Sequence, residues 1–265
     1  MSLLTSNVTT VDKMGNDEIF VIYGDEGTGK TVLASTFPKT KDKHMLYLDI
    51  LEGGAGSIPA SEREFIDVLP IESFEDIDSV FQDIIKGVTI DDAGNEVKVA
   101  YSTIVIDSAT QLEYLMKQSL MKNANRDKMT LALWGDASNI HDSIWNACKA
   151  IYKKTGATIV IICHQKEEKN EDNPQFAKLI PSLMTKAAHA LCAKASYVWY
   201  CKTEKEQIID SATQEVKELI KFVTIIDTDS YLLTKCRKPP EKKIVHEVTN
   251  LTYPSFKKNI IDKLK

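Results

Sequence analysis

A glycine-rich segment near the amino end of the chain has the spacing of a phosphate-binding loop. Residues 24–31, Gly-Asp-Glu-Gly-Thr-Gly-Lys-Thr, satisfy the pattern G-x-x-x-x-G-K-[ST]. The glycines allow backbone N–H groups to converge on phosphate oxygens, and a helix that follows would add the partial positive charge of its first turn. Lys30 is expected to reach the β- and γ-phosphates, and the Thr31 hydroxyl to ligate Mg²⁺. The predicted nucleotide-binding residues are Gly24, Asp25, Glu26, Gly27, Thr28, Gly29, Lys30, Thr31 and Val32.

An aspartate at the end of a later apolar run completes the predicted metal site. Residues 102–108 have the sequence STIVIDS, and a buried strand of this kind would carry Asp107 to a position beside the phosphate loop. There the carboxylate would hold Mg²⁺ through water. A strand that ends in aspartate often only begins a turn. Because it occurs together with the phosphate loop, we predict that Thr31 and Asp107 bind Mg²⁺.

Loops of this kind occur in small-molecule kinases, GTPases and oligomeric ATPases, and the other residues must distinguish these classes. A GTPase would need a base-reading N-K-x-D motif, which the sequence lacks. A kinase would need an arginine-rich lid that clamps the transferred phosphate. The arginines of the chain are few and far apart: Arg63, Arg126 and Arg237. We therefore predict an ATPase with ATP and Mg²⁺ as its ligands.

Composition and charge limit the partners. The chain has 265 residues, 43% of them apolar and 27% charged, which suits one large α/β domain with a sizeable core. A net charge of −5 argues against a protein that coats nucleic acid through bulk positive charge. Contact with nucleic acid must therefore be local. Residues 235–265 offer one such source, because they carry nine basic and three acidic side chains.

The cysteines and the apolar segments bear on the compartment. The five cysteines form no C-x-x-C pair, so we expect reduced thiols rather than a disulfide framework or a zinc site. No segment approaches the roughly 18–20 apolar residues that a membrane-spanning helix needs. We therefore expect no membrane partner and a cytoplasmic protein.

Apolar runs and turn signals predict strands that alternate with helices over the first 165 residues. Ser73 and Asp76 have the spacing of a capping box, and Gly87 and Gly156 are expected to end helices. Such alternation predicts an α/β fold with a doubly wound, mainly parallel sheet that binds ligands at the carboxyl ends of its strands, with additional C-terminal antiparallel strands. Strands are predicted at 19–23, 44–49, 103–106, 158–163, 196–202, 221–227 and 231–236, a hairpin at 88–100, and helices at 31–37, from Ser73 to Gly87, at 111–122 and from about 137 to 154.

The order of four segments resembles a known family. The phosphate loop, the strand that ends at Asp107-Ser108, the strand that ends in residues 163–165 (Cys-His-Gln) and the late Lys-Cys-Arg of residues 235–237 occur as in RecA/RadA-like P-loop ATPase cores. The likeness is closest to phage-encoded, AAA-like nucleotide-binding proteins of the single-strand-annealing type. It implies a RecA-like core at 16–240, preceded by an N-terminal arm at 1–15 and followed by a basic tail at 241–265. For a phage-encoded chain, the expected compartment is the bacterial host cytoplasm.

The resemblance also implies catalytic residues. RecA-like cores place a glutamate after the second strand to orient the attacking water, and Glu52 is the candidate here, with Asp49 as its rival. A polar residue at the end of the fourth strand senses the γ-phosphate in such cores. His164 would have this role, with Gln165 as the alternative. The carboxylate could instead be a loop acid with no catalytic role, and His164 a strand-end residue that is hydrogen-bonded to the backbone.

Further implied features concern neighbouring protomers and DNA. Such cores act as homo-oligomers with the nucleotide at the subunit interface, and Lys235 and Arg237 would reach the γ-phosphate of the next protomer. Residues 166–186 would form a mobile DNA-facing loop, whose acidic residues oppose its lysines. Its lysines are Lys166, Lys169, Lys178 and Lys186, and the aromatic residues that could stack on bases are Phe176 and Trp134, whereas Trp145 and Trp199 are predicted to lie in the core.

Three hypotheses of function follow. The first is a DNA-stimulated ATPase that binds single-stranded DNA and assists annealing or recombination. The second is a nucleotide-gated loader or accessory protein whose basic tail docks on an acidic protein partner. The third is a small-molecule phosphotransferase, which the missing arginine lid disfavours.

Overall fold

One large mixed sheet dominates the protein. The computed structural model describes residues 18–91, 93–169, 177–209, 216–238 and 241–261. Within these ranges ten strands belong to this sheet, and β4 and β5 form a separate hairpin. The strands are β1 (Ile19–Gly24), β2 (His44–Ile50), β3 (Ile66–Ile71), β4 (Val88–Ile90), β5 (Glu96–Lys98), β6 (Tyr101–Asp107), β7 (Thr158–Glu168), β8 (Lys178–Pro181), β9 (Tyr197–Ile209), β10 (Val216–Ile225), β11 (Lys235–Cys236) and β12 (Glu247–Thr249).

The centre of the sheet is parallel and its C-terminal part is antiparallel. The order is β12-β10-β9-β1-β7-β6-β2-β3, with β11 paired to β9 and β8 to β7. All pairs from β9 through β1 to β3 are parallel, whereas β8, β10, β11 and β12 pair antiparallel to their neighbours. This confirms the predicted doubly wound, mainly parallel sheet with additional antiparallel strands.

Helices cover both faces of the sheet. Ser73 and Asp76 form the predicted capping box, and left-handed Gly87 and Gly156 end the second and fourth helices. Among the described residues, none of the helices is apolar over a length sufficient to cross a bilayer. The helices are α1 (Lys30–Ser35), α2 (Phe74–Lys86), α3 (Ala109–Asn123), α4 (Leu131–Thr155), α5 (Thr185–Lys194) and α6 (Tyr253–Phe256), the last of which continues as a π-helical turn over Lys257–Ile261.

Two apolar clusters hold the layers together, one on each face of β1. Val21 and Tyr23 point into the cluster that includes apolar residues of α2, α3, α4 and α5, and Trp145 lies there with 2% exposure. Phe20 and Ile22 point into the opposite cluster, which includes α1 and the fully buried Trp199. Alternation along a strand explains this division, because successive side chains face opposite sides of the sheet. The predictions that Trp145 and Trp199 are core residues are confirmed.

The end of the chain contributes to the second cluster. Tyr253, Phe256 and Ile260 are buried against β1 and β9, although they lie within the predicted basic tail. The Phe256 ring packs edge-on against Trp199, with 4.7 Å between ring centroids. Residues 251–261 are thus part of the folded core.

Several predicted element boundaries are wrong. Helix α4 begins at Leu131 rather than near residue 137, because the Thr130 side chain caps it by accepting a hydrogen bond from the Leu133 N–H. Strand β3 was not predicted. Its sequence, IDVLPI, shows no regular alternation and contains Pro70, which is tolerated because β3 lies at the edge of the sheet. The strand predicted at 231–236 is reduced to Lys235–Cys236.

The predicted DNA-facing loop at 166–186 is partly regular structure. Strand β7 continues to Glu168 and pairs with β8, and α5 begins at Thr185. Residues 170–176 lie outside the described part of the chain, and so does Phe176. The described portion thus includes an antiparallel hairpin of β7 and β8, which extends β7 beyond the carboxyl ends of the neighbouring parallel strands.

The burial of Phe256 generates a prediction about stability. Phe256→Ala should lower the free energy of unfolding by about 3–5 kcal/mol, because it empties a fully buried aromatic site. Urea denaturation would measure this loss. Lys258→Ala, which changes an exposed residue of the same segment, is the control and should cost less than about 0.5 kcal/mol. Equal denaturation midpoints for the two variants would show that the C-terminal segment does not contribute to the core.

Candidate functional site

The phosphate loop connects β1 to α1 as the motif requires. Gly24 ends β1, and Gly29 precedes α1 with φ of 81°, a left-handed conformation that favours glycine. Gly24 is needed for a different reason. A Cβ at this position would lie 2.1 Å from the carbonyl oxygen of Cys201 in β9. Gly24 thus lets the loop leave β1 close to β9, and Gly29 lets it turn into α1.

Lys30 is buried within this loop. Its ammonium donates hydrogen bonds to the carbonyl oxygens of Gly24, at 3.1 Å, and of Asp25, at 2.6 Å. Burial lowers the pKa of Lys30, while the nearby Asp107 and Glu52 act in the opposite direction. The lysine therefore lies at the loop, with its charge compensated by backbone oxygens that a bound phosphate could replace.

Thr31 and Asp107 lie side by side, as the sequence predicts for a metal site. The Thr31 hydroxyl donates to Asp107 Oδ2 at 2.9 Å, and the Tyr47 hydroxyl donates to the same oxygen. Burial raises the pKa of Asp107, whereas these two hydrogen bonds lower it. Gly54 packs so closely that a Cβ there would lie 3.0 Å from Asp107 Oδ2. The loop after β2 thus closes one side of the pair.

The Thr31–Asp107 pair fits Mg²⁺. Hydroxyl and carboxylate oxygens are the donors that Mg²⁺ prefers, and it usually takes its remaining ligands from water and substrate phosphates. Within the described ranges no group of three or more His, Cys, Asp or Glu side chains is arranged to hold a metal. A site with two protein oxygens that is completed by a nucleotide agrees with this donor set.

Glu52 and His164 form an ion pair across the cleft. His164 Nε2 lies 2.7 Å from Glu52 Oε1, and the Ser108 hydroxyl donates to the same oxygen at 2.7 Å. Burial alone would raise the pKa of Glu52, but hydrogen bonds from His164 and Ser108 hold it below its ordinary value. The hydrogen bond to Glu52 raises the pKa of His164. The pair therefore favours a carboxylate and an imidazolium.

Asp49 and Gln165, the alternatives to Glu52 and His164, have different surroundings. Both carboxylate oxygens of Asp49 accept backbone N–H groups of its own loop, from Gly54 and Ala55, each at 3.3 Å. Gln165 has a buried side-chain oxygen for which no partner is found among the described residues. Glu52 and His164 line the cleft beside the phosphate loop, whereas Asp49 and Gln165 do not.

One cleft brings together most of the predicted site. Sequence reasoning missed four residues of this region, Ser57, Phe222, Tyr47 and Ser108. The last two adjoin predicted positions, since Tyr47 is two residues before Asp49 and Ser108 follows Asp107, but no sequence signal marks Ser57 or Phe222. The residues that line the cleft are Glu26, Gly27, Thr28, Gly29, Lys30, Thr31, Val32, Glu52, Ser57, Asp107, His164 and Phe222.

Lys235 and Arg237 lie away from the phosphate loop of their own chain. Lys235 pairs with Val198 near the start of β9, and the Arg237 N–H donates to the carbonyl oxygen of Ser196, just before this strand. Gly24 of the phosphate loop aligns with Cys201, further along β9. The Lys235 ammonium donates to three carbonyl oxygens at the end of α5, those of Cys192, Ala193 and Ala195, at 2.5–3.1 Å. The described geometry thus gives Lys235 a helix-capping contact, and neither residue joins the cleft within one chain.

Comparison with known families agrees with this geometry. A family model described as an AAA domain matches residues 17–235, which contain the whole cleft. The chain belongs to the AAA domain family. This membership indicates a nucleotide-binding ATPase of the P-loop type, and the match ends at Lys235, before Arg237. No protein among the curated sequences matches the chain.

The Glu52–His164 pair predicts a pH dependence. Because the pKa of His164 is raised, its stabilising contribution is complete below 6.5 and is lost as the pH rises through the raised value. Because the pKa of Glu52 is lowered, its contribution is complete above 4.5 and is lost as the pH falls through the lowered value. Both contributions are complete between pH 4.5 and pH 6.5, so Glu52→Gln should destabilise the protein most in this range. The same substitution should lower the pKa of His164.

Histidine NMR titration and urea denaturation at several pH values would test this. Glu218→Gln is the control, since it removes an exposed carboxylate that lies 3.0 Å from Lys205. It should leave the His164 titration unchanged. An unchanged His164 pKa in Glu52→Gln would show that the pair does not couple the two groups.

Proposed function

We propose that this AAA domain ATPase hydrolyses ATP with Mg²⁺. We further propose that it is phage-encoded and assists the annealing or recombination of single-stranded DNA. The observation that carries the ATPase part is the convergence of five side chains on one cleft. Lys30 and Thr31 come from the phosphate loop, Asp107 from β6, Glu52 from the loop after β2, and His164 from β7. Phosphoryl transfer depends on such positioning and on charge stabilisation.

Each side chain has a distinct role in the proposed reaction. Lys30 leaves the loop carbonyls and pairs with the β- and γ-phosphates. Thr31 and Asp107 would hold Mg²⁺, which would neutralise negative charge on the phosphates. Glu52 remains ionised because His164 and Ser108 donate hydrogen bonds to it. It orients the attacking water by accepting a hydrogen bond from that water. Glu52 is preferred to Asp49, whose oxygens accept backbone N–H groups.

His164 is proposed to report the nucleotide state to the hairpin of β7 and β8. It contacts Glu52 through its ring, and its carbonyl oxygen accepts the Ser182 N–H at 2.7 Å, just after β8. A change at Glu52 would therefore reach the base of the hairpin through one residue. The resemblance to RecA-like cores supports a DNA contact on this hairpin, where Lys169 is exposed, and Lys186 is exposed nearby on α5.

Assembly into an oligomer is part of the same proposal. Arg237 lies at the level of Ser196, five residues before the Cys201 level at which Gly24 lies, which is about 16 Å away at the rise of a strand. Only the cleft of a neighbouring protomer could receive its guanidinium. An arginine supplied in this way stabilises the charge that develops during phosphoryl transfer. Arg237 is the preferred member of the pair because its planar guanidinium suits the charge of a transferring phosphate better than the ammonium of Lys235.

The first test removes the charge that the phosphate loop presents. Lys30→Ala should abolish ATP binding or hydrolysis, because no other side chain of the loop can neutralise the β- and γ-phosphates. Asp107→Asn should keep the fold, yet raise the Mg²⁺ concentration needed for half-maximal hydrolysis. Phosphate release and circular dichroism would measure both effects. Hydrolysis at the wild-type rate by Lys30→Ala would contradict the ATPase assignment.

A second test concerns single-stranded DNA. The strand should stimulate ATP hydrolysis and bind with a steep salt dependence. Replacing Lys169 and Lys186 by alanine should reduce the slope of log K against log salt by about 0.7 for each phosphate contact that is lost. The matched control replaces Lys41 and Lys43, which are exposed before β2, at the opposite edge of the sheet. Their replacement should leave the slope unchanged.

The outcome also distinguishes the alternatives. ATP hydrolysis without DNA binding at low salt would contradict the annealing role and favour the nucleotide-gated loader or accessory protein. Transfer of phosphate to a metabolite would favour the phosphotransferase.

A further inference from the structure

One wall of the nucleotide cleft is aromatic, although its other lining residues belong mainly to the phosphate and metal chemistry. Phe222 is the aromatic side chain among the described residues that line this cleft. It comes from β10, far along the chain from the phosphate loop and from the catalytic candidates. None of the roles assigned above to Lys30, Thr31, Asp107, Glu52 or His164 uses it.

The position of Phe222 is fixed by the strands and by the phosphate loop. Phe222 pairs with Thr203 in the ribbon formed by β9 and β10. A Cβ at Gly29 would lie 3.0 Å from Cδ1 of the Phe222 ring and 3.5 Å from two further ring atoms, so the ring packs directly over this glycine. A larger residue at position 29 would displace the ring. The aromatic wall and the phosphate loop are therefore one packed unit.

The ring is only partly covered by this contact. Phe222 is 42% exposed, which leaves a large apolar surface open beside a cleft. Val32, the residue after the phosphate loop motif, lines the same cleft and is 38% exposed. Phosphate and Mg²⁺ bind polar groups, so they would not cover these apolar surfaces. A flat apolar group that covers them would bind favourably, because it removes apolar surface from water.

A nucleotide has one part with that chemistry. Its phosphates bind through charge and backbone N–H groups, whereas its base has a flat π face that stacks on aromatic side chains. The phosphate loop fixes where the phosphates lie, and the aromatic ring that packs on this loop lies within the same cleft. The base is therefore the part of the ligand that the exposed ring suits.

We propose that Phe222 stacks on the base of the bound nucleoside triphosphate, with Val32 as a second apolar contact. This inference rests on the proposed nucleotide binding and adds the base subsite to it. The ribbon of β9 and β10 then has a role in ligand binding as well as in the sheet. Stacking is tolerant of base identity, so the ring contributes affinity more than selection between bases.

The experiment compares two ligands that share the phosphates. ATP and inorganic tripolyphosphate, each with Mg²⁺, are titrated calorimetrically into the full-length wild-type chain and into Phe222→Ala. Loss of the ring should weaken ATP binding about 5- to 150-fold, as for other base–aromatic stacks, and should change tripolyphosphate binding less than about twofold. Phe222→Tyr keeps an aromatic face and should restore ATP affinity.

The matched control is Leu219→Ala. Leu219 lies on the opposite face of the same ribbon, three positions away, and is 45% exposed. It should leave both affinities unchanged, so a loss confined to Phe222→Ala cannot come from general damage to the ribbon. Lys30→Ala should weaken the binding of both ATP and tripolyphosphate.

Three outcomes would overturn the inference. An equal loss of ATP and tripolyphosphate in Phe222→Ala would mean that the ring only supports Gly29 and the phosphate loop. Unchanged ATP affinity in that variant would mean that the base lies elsewhere. If the wild-type chain binds neither ligand, the proposed nucleotide binding itself fails, which the first two outcomes do not imply.

Discussion

The parallel register of the central strands is the constraint on which the site depends. Gly24 at the end of β1 aligns with His164 in β7, and Asp49 in β2 aligns with Asp107 in β6. Parallel strands bring their carboxyl ends to one edge, so residues distant in sequence reach the same level there. A shift of one residue between two of these strands would turn each side chain to the other face and separate the pairs. The two apolar clusters on either side of β1 hold this register.

The charges of the cleft compensate one another within the chain. Lys30 donates to loop carbonyls, Asp107 accepts from Thr31 and Tyr47, and Glu52 pairs with His164. Buried charges would be costly without such partners. A ligand that displaces these contacts must offer equivalent ones, and a Mg²⁺-bound triphosphate does so, since it has anionic oxygens for Lys30 and a cation for Asp107. The arrangement thus favours exchange of partners over a gain of new buried charge.

The fold and the phosphate loop could be predicted from sequence because both have local signals. The apolar run of β1, the glycine spacing and Lys30 lie within a short segment, and the alternation of strands and helices defines the parallel sheet. Strand β3 could not be predicted, since its apolar residues do not alternate with polar ones and Pro70 within the run argues against a strand. Phe222 could not be assigned to the cleft either, because its contact with Gly29 depends on the pairing of β9 with β1 and of β10 with β9. The proposed preference for Glu52 over Asp49 rests on hydrogen-bond partners and on the lining of the cleft, which the sequence does not show.

Two extensions of the sheet flank the phosphate loop, and both begin at the cleft. Strands β7 and β9 pair with β1 on its two sides, and both continue beyond Gly24, β7 to Glu168 and β9 to Ile209. His164 lies at the base of the first extension and Phe222 on the second. If the γ-phosphate lies beside Glu52 and His164 while the base stacks on Phe222, one ligand contacts both extensions at once. Hydrolysis would then change only the contacts of the first, because the base is retained in the product. Under the proposed function, the hairpin of β7 and β8 is therefore the element that would distinguish ATP from ADP, and the ribbon of β9 and β10 the element that would hold either.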